Sequence, residues 1–77
     1  MTQAKEELCI LMGEIIKKER VARNISIEAL AEAVSLTPGS IELYESGQRG
    51  PTLVTLKEIA EFFNLPIDGF FYPDGRK

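Results

Sequence analysis

Histidine and tryptophan are absent from the sequence, and cysteine occurs once, as Cys9. Histidine is the commonest side-chain base and metal ligand near neutral pH, and neither a metal-ligand spacing nor a glycine-rich phosphate loop takes its place. A single cysteine excludes an internal disulfide and fits a reducing compartment. We therefore expect a cytoplasmic protein that is not an enzyme and that uses no metal, cofactor or small-molecule substrate.

Long hydrophobic runs are also missing, and the apolar segments are far too short to cross a bilayer. The N-terminal segment, MTQAKEELCILMG, places acidic residues before its apolar ones and lacks the basic start and cleavage site of a signal peptide. The length of 77 residues, with 44% hydrophobic and 27% charged residues, fits one small globular domain. We expect no second domain and no membrane partner.

The sequence also has few basic residues, with 9 Lys and Arg against 12 Asp and Glu and a pI of about 4.9. This balance is unusual for a protein that binds polyanions. Five of the nine cations nevertheless lie in or before the end of the first predicted helix, which leaves room for a local positive stripe. These five are Lys5, Lys17, Lys18, Arg20 and Arg23.

Capping residues divide the sequence into helices. Ser26 and Thr37 can accept hydrogen bonds from backbone N–H groups at a helix start, and Pro38 suits the first helical position. Gly47 can take the left-handed conformation that ends a helix, and Thr52 can start another. The predicted elements are helices over about residues 3–23, 26–34, 37–46 and 52–64, one helical turn over 66–72, and a loose tail from 73.

The predicted second and third helices are joined by residues 33–36, which leave room only for a tight turn. Their apolar residues must therefore share one core, an arrangement typical of a helix-turn-helix. These core residues are Leu30, Ala31, Val34, Ile41 and Tyr44. The fourth helix adds an apolar face made of Leu53, Leu56, Ile59, Ala60 and Phe63.

The first predicted helix has a broad apolar face made of Leu8, Leu11, Met12, Ile15, Ile16 and Ala22. Gly13 interrupts this face at a cost of about 1 kcal/mol in helix propensity. Two explanations stay open. Gly13 marks either the end of a flexible leading segment or a close contact between helices.

A set of spaced residues resembles the Cro/CI-type helix-turn-helix family, also called the XRE family, of phage repressors and bacterial transcriptional regulators. The matching residues are Met12, Gly13, Ile16, Arg20, Leu30, Ala31, Ser40, Ile41, Glu42, Glu45, Gly47, Pro51, Leu56, Ile59, Ala60, Phe63 and Leu65. The resemblance implies an all-α, compact five-helix, lambda-repressor-like domain over residues 12–71. Residues 1–11 would extend the first helix, and residues 72–77 would form a tail.

In this family the second helix lies across the DNA backbone and the third enters the major groove, usually as a symmetric dimer on a palindromic site. The resemblance therefore implies sequence-dependent binding of double-stranded DNA by a small transcriptional regulator, expected to be a repressor, with residues 38–46 in the groove. The implied DNA-binding positions are Ser26, Ile27, Thr37, Pro38, Gly39, Ser40, Glu42, Leu43, Gln48 and Arg49.

Several of these positions depart from the family pattern. Ile27 stands where members often have a phosphate-binding glutamine. Pro38, Gly39 and Leu43, at the positions that usually face base edges, have no polar side chain to read a base. Glu42 is restricted to accepting a hydrogen bond from cytosine or repelling phosphate.

Two functions therefore stay open. In the first, the backbone N–H groups at the two helix starts hold phosphates, with help from Lys17 or Arg23, and Leu43 contacts thymine methyl groups. In the second, a degenerate helix-turn-helix serves as a protein-interaction module, like an antirepressor or antitoxin, with exposed Ile27 and Leu43 flanking an apolar patch.

The resemblance assigns structural roles to three more residues. Arg20 and Glu45 are expected to form a partly buried ion pair between the first and third helices. Ser35 replaces a glycine that is common in the turn, at a cost of about 1 kcal/mol if its φ is positive.

The C-terminal part is rich in aromatic residues. Phe63 and Phe70 have the positions of core anchors, but Phe62, Phe71 and Tyr72 cannot all be buried in so small a domain. We therefore expect a homodimer through C-terminal apolar residues.

Overall fold

The computed structural model describes residues 2–66, with side chains from Glu7 onward, and this part of the chain contains four α-helices and no strand. The helices are α1 (Thr2–Ala22), α2 (Ile27–Ala33), α3 (Pro38–Ser46) and α4 (Leu53–Phe62). The all-α class is as predicted. The expected fifth helical turn falls almost entirely outside the described residues, as do Phe70, Phe71, Tyr72 and the tail.

The three predicted N-caps are confirmed. Ser26 Oγ accepts a hydrogen bond from the Ala29 N–H at 3.0 Å, and Thr37 Oγ1 accepts from the Ser40 N–H at 3.2 Å. Thr52 Oγ1 starts α4 in the same way, accepting from the Thr55 N–H at 3.2 Å. Each bond satisfies one of the N–H groups that a helix start leaves without an intrahelical acceptor.

The connections depend on residues with left-handed backbone conformations. Gly47 ends α3 with φ of 82°, as predicted from its lack of a side chain. Ser35, in the turn between α2 and α3, has φ of 60°, so the turn uses the conformation that costs a residue with a Cβ atom about 1–2 kcal/mol. The Leu36 N–H donates to the Ala31 carbonyl at 2.8 Å and closes this turn.

The core lies between all four helices. Its buried hydrophobic residues are Met12, Ile16, Leu30, Ala31, Val34, Ile41, Tyr44, Leu56, Ile59, Ala60 and Phe63. All five residues predicted for the helix-turn-helix core are among them. The prediction for Leu53 was wrong, because this first residue of α4 lies a turn before buried Leu56 and its side chain is 67% exposed.

Gly13 lies at a close contact between α1 and α3. A Cβ atom built on Gly13 would lie 2.1 Å from the Tyr44 carbonyl oxygen and 3.0 Å from that of Glu45. Only a residue without a side chain allows the two backbones this approach. Of the two explanations for this glycine, the structure therefore supports the helix contact.

The N-terminal part of α1 lies against the segment that follows α3. A Cβ atom on Gly47 would come within 2.7 Å of Ile10 Cγ1, and one on Gly50 within 2.8 Å of Cys9 Sγ. The helix therefore supports the loop beyond α3 as well as α3 itself. Among the described residues, no helix is both long enough and apolar enough to span a membrane.

Candidate nucleic-acid interface

The start of α3 is exposed. Thr37, Pro38 and Gly39 are exposed, and beyond the adjacent residues and the backbone of α3 itself, the nearest heavy atom to a Cβ atom built on Gly39 is Thr37 Oγ1, at 4.0 Å. The Ser40 side chain is half-buried, and its hydroxyl lies 3.1 Å from Thr37 Oγ1. Another molecule can thus approach the α3 backbone at Gly39 without meeting a side chain.

The rest of the outward face of α3 carries one charged side chain. Glu42 and Ser46 are exposed, and Leu43 is half-buried. The Ser46 hydroxyl donates to the Leu43 carbonyl at 3.1 Å and accepts from Gln48 Nε2 at 3.0 Å. Ser46 is thus bonded within the protein, and Glu42 is the charged residue exposed on this face.

The start of α2 differs from the prediction. Ser26 is exposed, as a phosphate contact would require, and its hydroxyl oxygen serves as the helix cap. Ile27 is half-buried and packs against the hydrophobic core, so the expected exposed patch of Ile27 and Leu43 does not form. The Ile27 side chain turns toward the core because burial of its apolar surface away from water is favourable.

The loop after α3 contains Arg49, the cation that is nearest in sequence to the exposed residues of α3. Arg49 is exposed, and it is the only Lys or Arg between Arg23 and Lys57. The Leu43 carbonyl accepts hydrogen bonds from the backbone N–H groups of Gln48 at 3.0 Å and Arg49 at 3.3 Å. The backbone beside Arg49 is thus fixed to α3 while its guanidinium faces solvent.

Arg20 and Glu45 join α1 to α3. Arg20 Nε and Nη2 donate to the Glu45 carboxylate at 2.7 and 3.1 Å, and Arg20 Nη1 donates to the Ile25 carbonyl at 2.9 Å. The side chains are only 12% and 7% exposed. The hydrogen bond to Glu45 raises the pKa of Arg20 against the lowering effect of burial, so its stabilising contribution is complete at neutral pH and is lost only in strongly alkaline solution.

Arg23, suggested as a phosphate contact, is bound within the protein by a carboxylate of α1 and by a carbonyl at the end of α4. Its guanidinium donates to the Glu19 carboxylate at 2.5 Å and to the Phe63 carbonyl at 2.8 Å. It also lies 4.9 Å from the centre of the Phe63 ring, within range of a cation–π interaction. Lys17 and Lys18 are exposed, as is Arg23.

The helix-turn-helix segment is acidic. The prediction of a positive stripe, which considered only the cations of the first helix, missed this feature. Residues 26–47 include four glutamates, Glu28, Glu32, Glu42 and Glu45, and no Lys or Arg. The signal was readable in the sequence by counting charges per segment. Apart from Arg49, any cations that contact a phosphate near α3 must therefore come from elsewhere in the chain.

Comparison with known proteins gives consistent matches. The model of the HTH_3 family, described as helix-turn-helix, matches residues 16–70. The chain is 31% identical over 64 residues to the HTH-type transcriptional repressor RghR of Bacillus subtilis, covering 82% of this chain, and 34% identical over 56 residues to the HTH-type transcriptional activator BcrR of Enterococcus faecalis, covering 73%. The chain spans only 47% and 28% of the lengths of these two relatives.

A solved structure agrees with the sequence comparison. The restriction-modification controller protein C.AhdI from Aeromonas hydrophila superposes with a TM-score of 0.77 at 25% sequence identity. The match covers 82% of this chain and 96% of that protein. The arrangement of α1 to α4 is therefore that of a protein of similar size.

Proposed function

The chain belongs to the HTH_3, or Cro/CI-type, helix-turn-helix family of transcriptional regulators, and we propose from this premise that it binds double-stranded DNA with α3 in the major groove. The observation that carries the proposal is the open start of α3, where the exposed Gly39 backbone meets no obstructing side chain. A free N–H at the positive end of a helix is a good donor to a phosphate oxygen.

Arg49 supplies the strongest phosphate contact in this proposal. Its loop is fixed by hydrogen bonds to the Leu43 carbonyl and by Gly50 packing against Cys9. A fixed backbone reduces the conformational entropy that the arginine loses on binding. Thr37, Ser40 and Gln48 add neutral donors beside it, and Ser26 adds one at the start of α2.

Substitution of Arg49 tests this interface. Arg49→Ala should weaken binding about equally on all duplexes and should reduce the slope of log affinity against log salt by about 1, because one fewer counterion is released. Lys57→Ala removes an exposed cation from α4 and is the matched control, with no expected change in the slope. Equal effects of the two substitutions would contradict the placement of Arg49 at the interface.

We further propose that the protein acts as a homodimer in the cytoplasm and represses transcription by occupying a palindromic site. Leu53, Val54 and Phe62 expose apolar side chains on α4, and burial of such surface against a second copy is favourable. Two copies of α3 would then reach successive major grooves on one side of the duplex. The named relatives include both a repressor and an activator, so a promoter fusion assay decides the direction of regulation.

The acidic helix-turn-helix segment favours a second candidate function, a protein-interaction module. Three of these glutamates, Glu28, Glu32 and Glu42, are exposed, and with no lysine or arginine beside them they suit a basic protein surface better than DNA. The two candidates separate in a duplex titration. Binding to DNA requires an affinity that falls steeply with salt, whereas an interaction module would leave random and promoter duplexes unbound even in dilute buffer.

A further inference from the structure

The position of Glu42 sets it apart from the other side chains of α3. Gly39, Glu42 and Ser46 lie three and four residues apart and therefore share one face of the helix, and all three are exposed. Gly39 has no side chain, and the Ser46 hydroxyl is bonded to Leu43 and Gln48. Glu42 is thus the only charged residue of the three.

The fold makes no visible use of this carboxylate. Glu45 is held by Arg20, and Glu28 is close enough to Arg20 to contribute to its raised pKa. Among the residues that the structure describes, Glu42 forms neither a salt bridge nor a side-chain hydrogen bond. The carboxylate of Glu42 therefore has its hydrogen-bonding capacity left for a molecule outside the described part of the chain.

A carboxylate in the middle of a groove-facing helix has a definite consequence for DNA binding. It is repelled by phosphates, and α2 and α3 contain no lysine or arginine to compensate. A hydrogen-bond donor on a base edge is the group in the major groove that can offset this repulsion. An ionised carboxylate has no proton to donate, so it selects among bases by their donors alone.

The base edges differ in the donors that they present. Guanine offers acceptors at N7 and O6 and thymine an acceptor at O4, so both place a lone pair against the carboxylate. Adenine offers the N6 amino group beside the N7 acceptor. Cytosine offers the N4 amino group with no acceptor beside it, and it is therefore the base whose edge suits a carboxylate best.

We propose that Glu42 is the specificity-determining residue of this protein and that it reads a cytosine in each half-site, at the base pair opposite the middle of α3. The inference rests on the proposed DNA-binding function and adds the chemistry of the site that is bound. Specificity then comes from the rejection of guanine and thymine by the Glu42 carboxylate. Pro38 and Gly39, which have no long side chain, allow the α3 backbone to approach the DNA.

Selection from a pool of random duplexes tests this assignment, followed by affinities for duplexes that vary in one base pair. The wild-type protein should prefer C·G at one position of each half-site by about fivefold or more over the other three base pairs. Glu42→Gln should lose that preference and favour A·T there, because an amide matches the N6 and N7 pair of adenine. Glu14→Gln, an equivalent change at an exposed position of α1, should retain the wild-type preference.

Two outcomes would overturn the proposal, and they are distinguishable. If Glu42→Gln binds every duplex more tightly while its preferred sequence is unchanged, Glu42 acts only as a repulsive charge and DNA binding itself still stands. If neither the wild type nor any variant binds a duplex in dilute buffer, the proposed function fails together with this inference. Thermal unfolding of each variant confirms that the compared proteins are folded.

Discussion

Arg20 joins three parts of the molecule through one guanidinium. Two of its nitrogens bind Glu45 at the end of α3, and a third binds the Ile25 carbonyl in the connection to α2. The planar fork of arginine allows all three bonds at once, which the single ammonium of lysine cannot reproduce. Arg20 therefore fixes α3 relative to α1.

Arg20→Ala should lower the free energy of unfolding by about 3 kcal/mol or less, because Glu45 is left partly buried without its partner. Arg20→Lys should recover only a minority of this loss. Urea unfolding monitored by circular dichroism measures both. If the unfolding midpoint of Arg20→Ala equals that of the wild type, the ion pair does not stabilise the protein.

A double-mutant cycle with Glu45→Gln provides the control. If the ion pair is responsible, the double variant should be less destabilised than the sum of the two single variants, since neither charge is then left without its partner. Strict additivity would mean that Arg20 acts through Ile25 alone.

Single residues also show where sequence reasoning reached its limit. The resemblance predicted a pairing of Arg20 with Glu45 across 25 residues, and these two side chains are in contact. It could not predict that Arg23 binds the Phe63 carbonyl 40 residues away, because no local pattern marks that contact. The sequence likewise does not show that Ile27 packs on the core, because the packing of the other helices decides which way a residue at a helix start faces.

At the scale of helices, the sequence was most informative at the ends. Ser26, Thr37, Thr52 and Gly47 act through bonds or conformations within a few residues, so their roles are readable locally. Burial within a helix was predicted well at its centre and less well at its first turn, where Leu53 proved exposed. The first turn of a helix can extend beyond the helices packed against it. The periodicity of its own apolar residues does not show where those other helices end.

The close contact between α1 and α3 at Gly13 predicts a change in stability on substitution by alanine that is opposite in sign to the change expected from helix propensity. Gly13→Ala should destabilise the protein by about 1–3 kcal/mol, because the added methyl group meets the Tyr44 carbonyl oxygen and forces the helices apart. Propensity alone would predict a gain of about 1 kcal/mol. Thermal unfolding measures the sign of the change.

Gly39→Ala is the matched control for Gly13→Ala. Its methyl group enters open space near the start of α3, so the protein should keep its stability or gain up to about 1 kcal/mol. Stabilisation of both variants would show that α1 and α3 are not in close contact at Gly13.

At the scale of the whole molecule, exposed apolar surface on α4 bears on assembly. The structure has a shallow depression of about 390 Å³ beside Phe62, lined by Glu58, Glu61 and Phe62 of α4 and by residues 33–35 at the end of α2. Phe62 itself is 44% exposed. The described part of the C-terminal region thus provides apolar surface for a second copy, while the contribution expected from Phe71 and Tyr72 stays a prediction.

Phe62→Glu should convert the protein from dimer to monomer at high micromolar concentration, because a carboxylate cannot be buried at the apolar contact without a partner. Analytical ultracentrifugation measures the mass in solution. Val21→Glu, at an exposed apolar residue of α1, is the control and should remain dimeric. A wild-type protein that is monomeric at these concentrations would end the homodimer proposal.

Amide chemical shifts recorded while a promoter duplex is added determine whether the outward face of α3 contacts DNA. The largest shift changes are expected on Gly39, Ser40, Glu42 and Arg49, with Lys57 and Glu58 of α4 unaffected. Shift changes confined to α4, or a spectrum that the duplex leaves unchanged in dilute buffer, would contradict this contact.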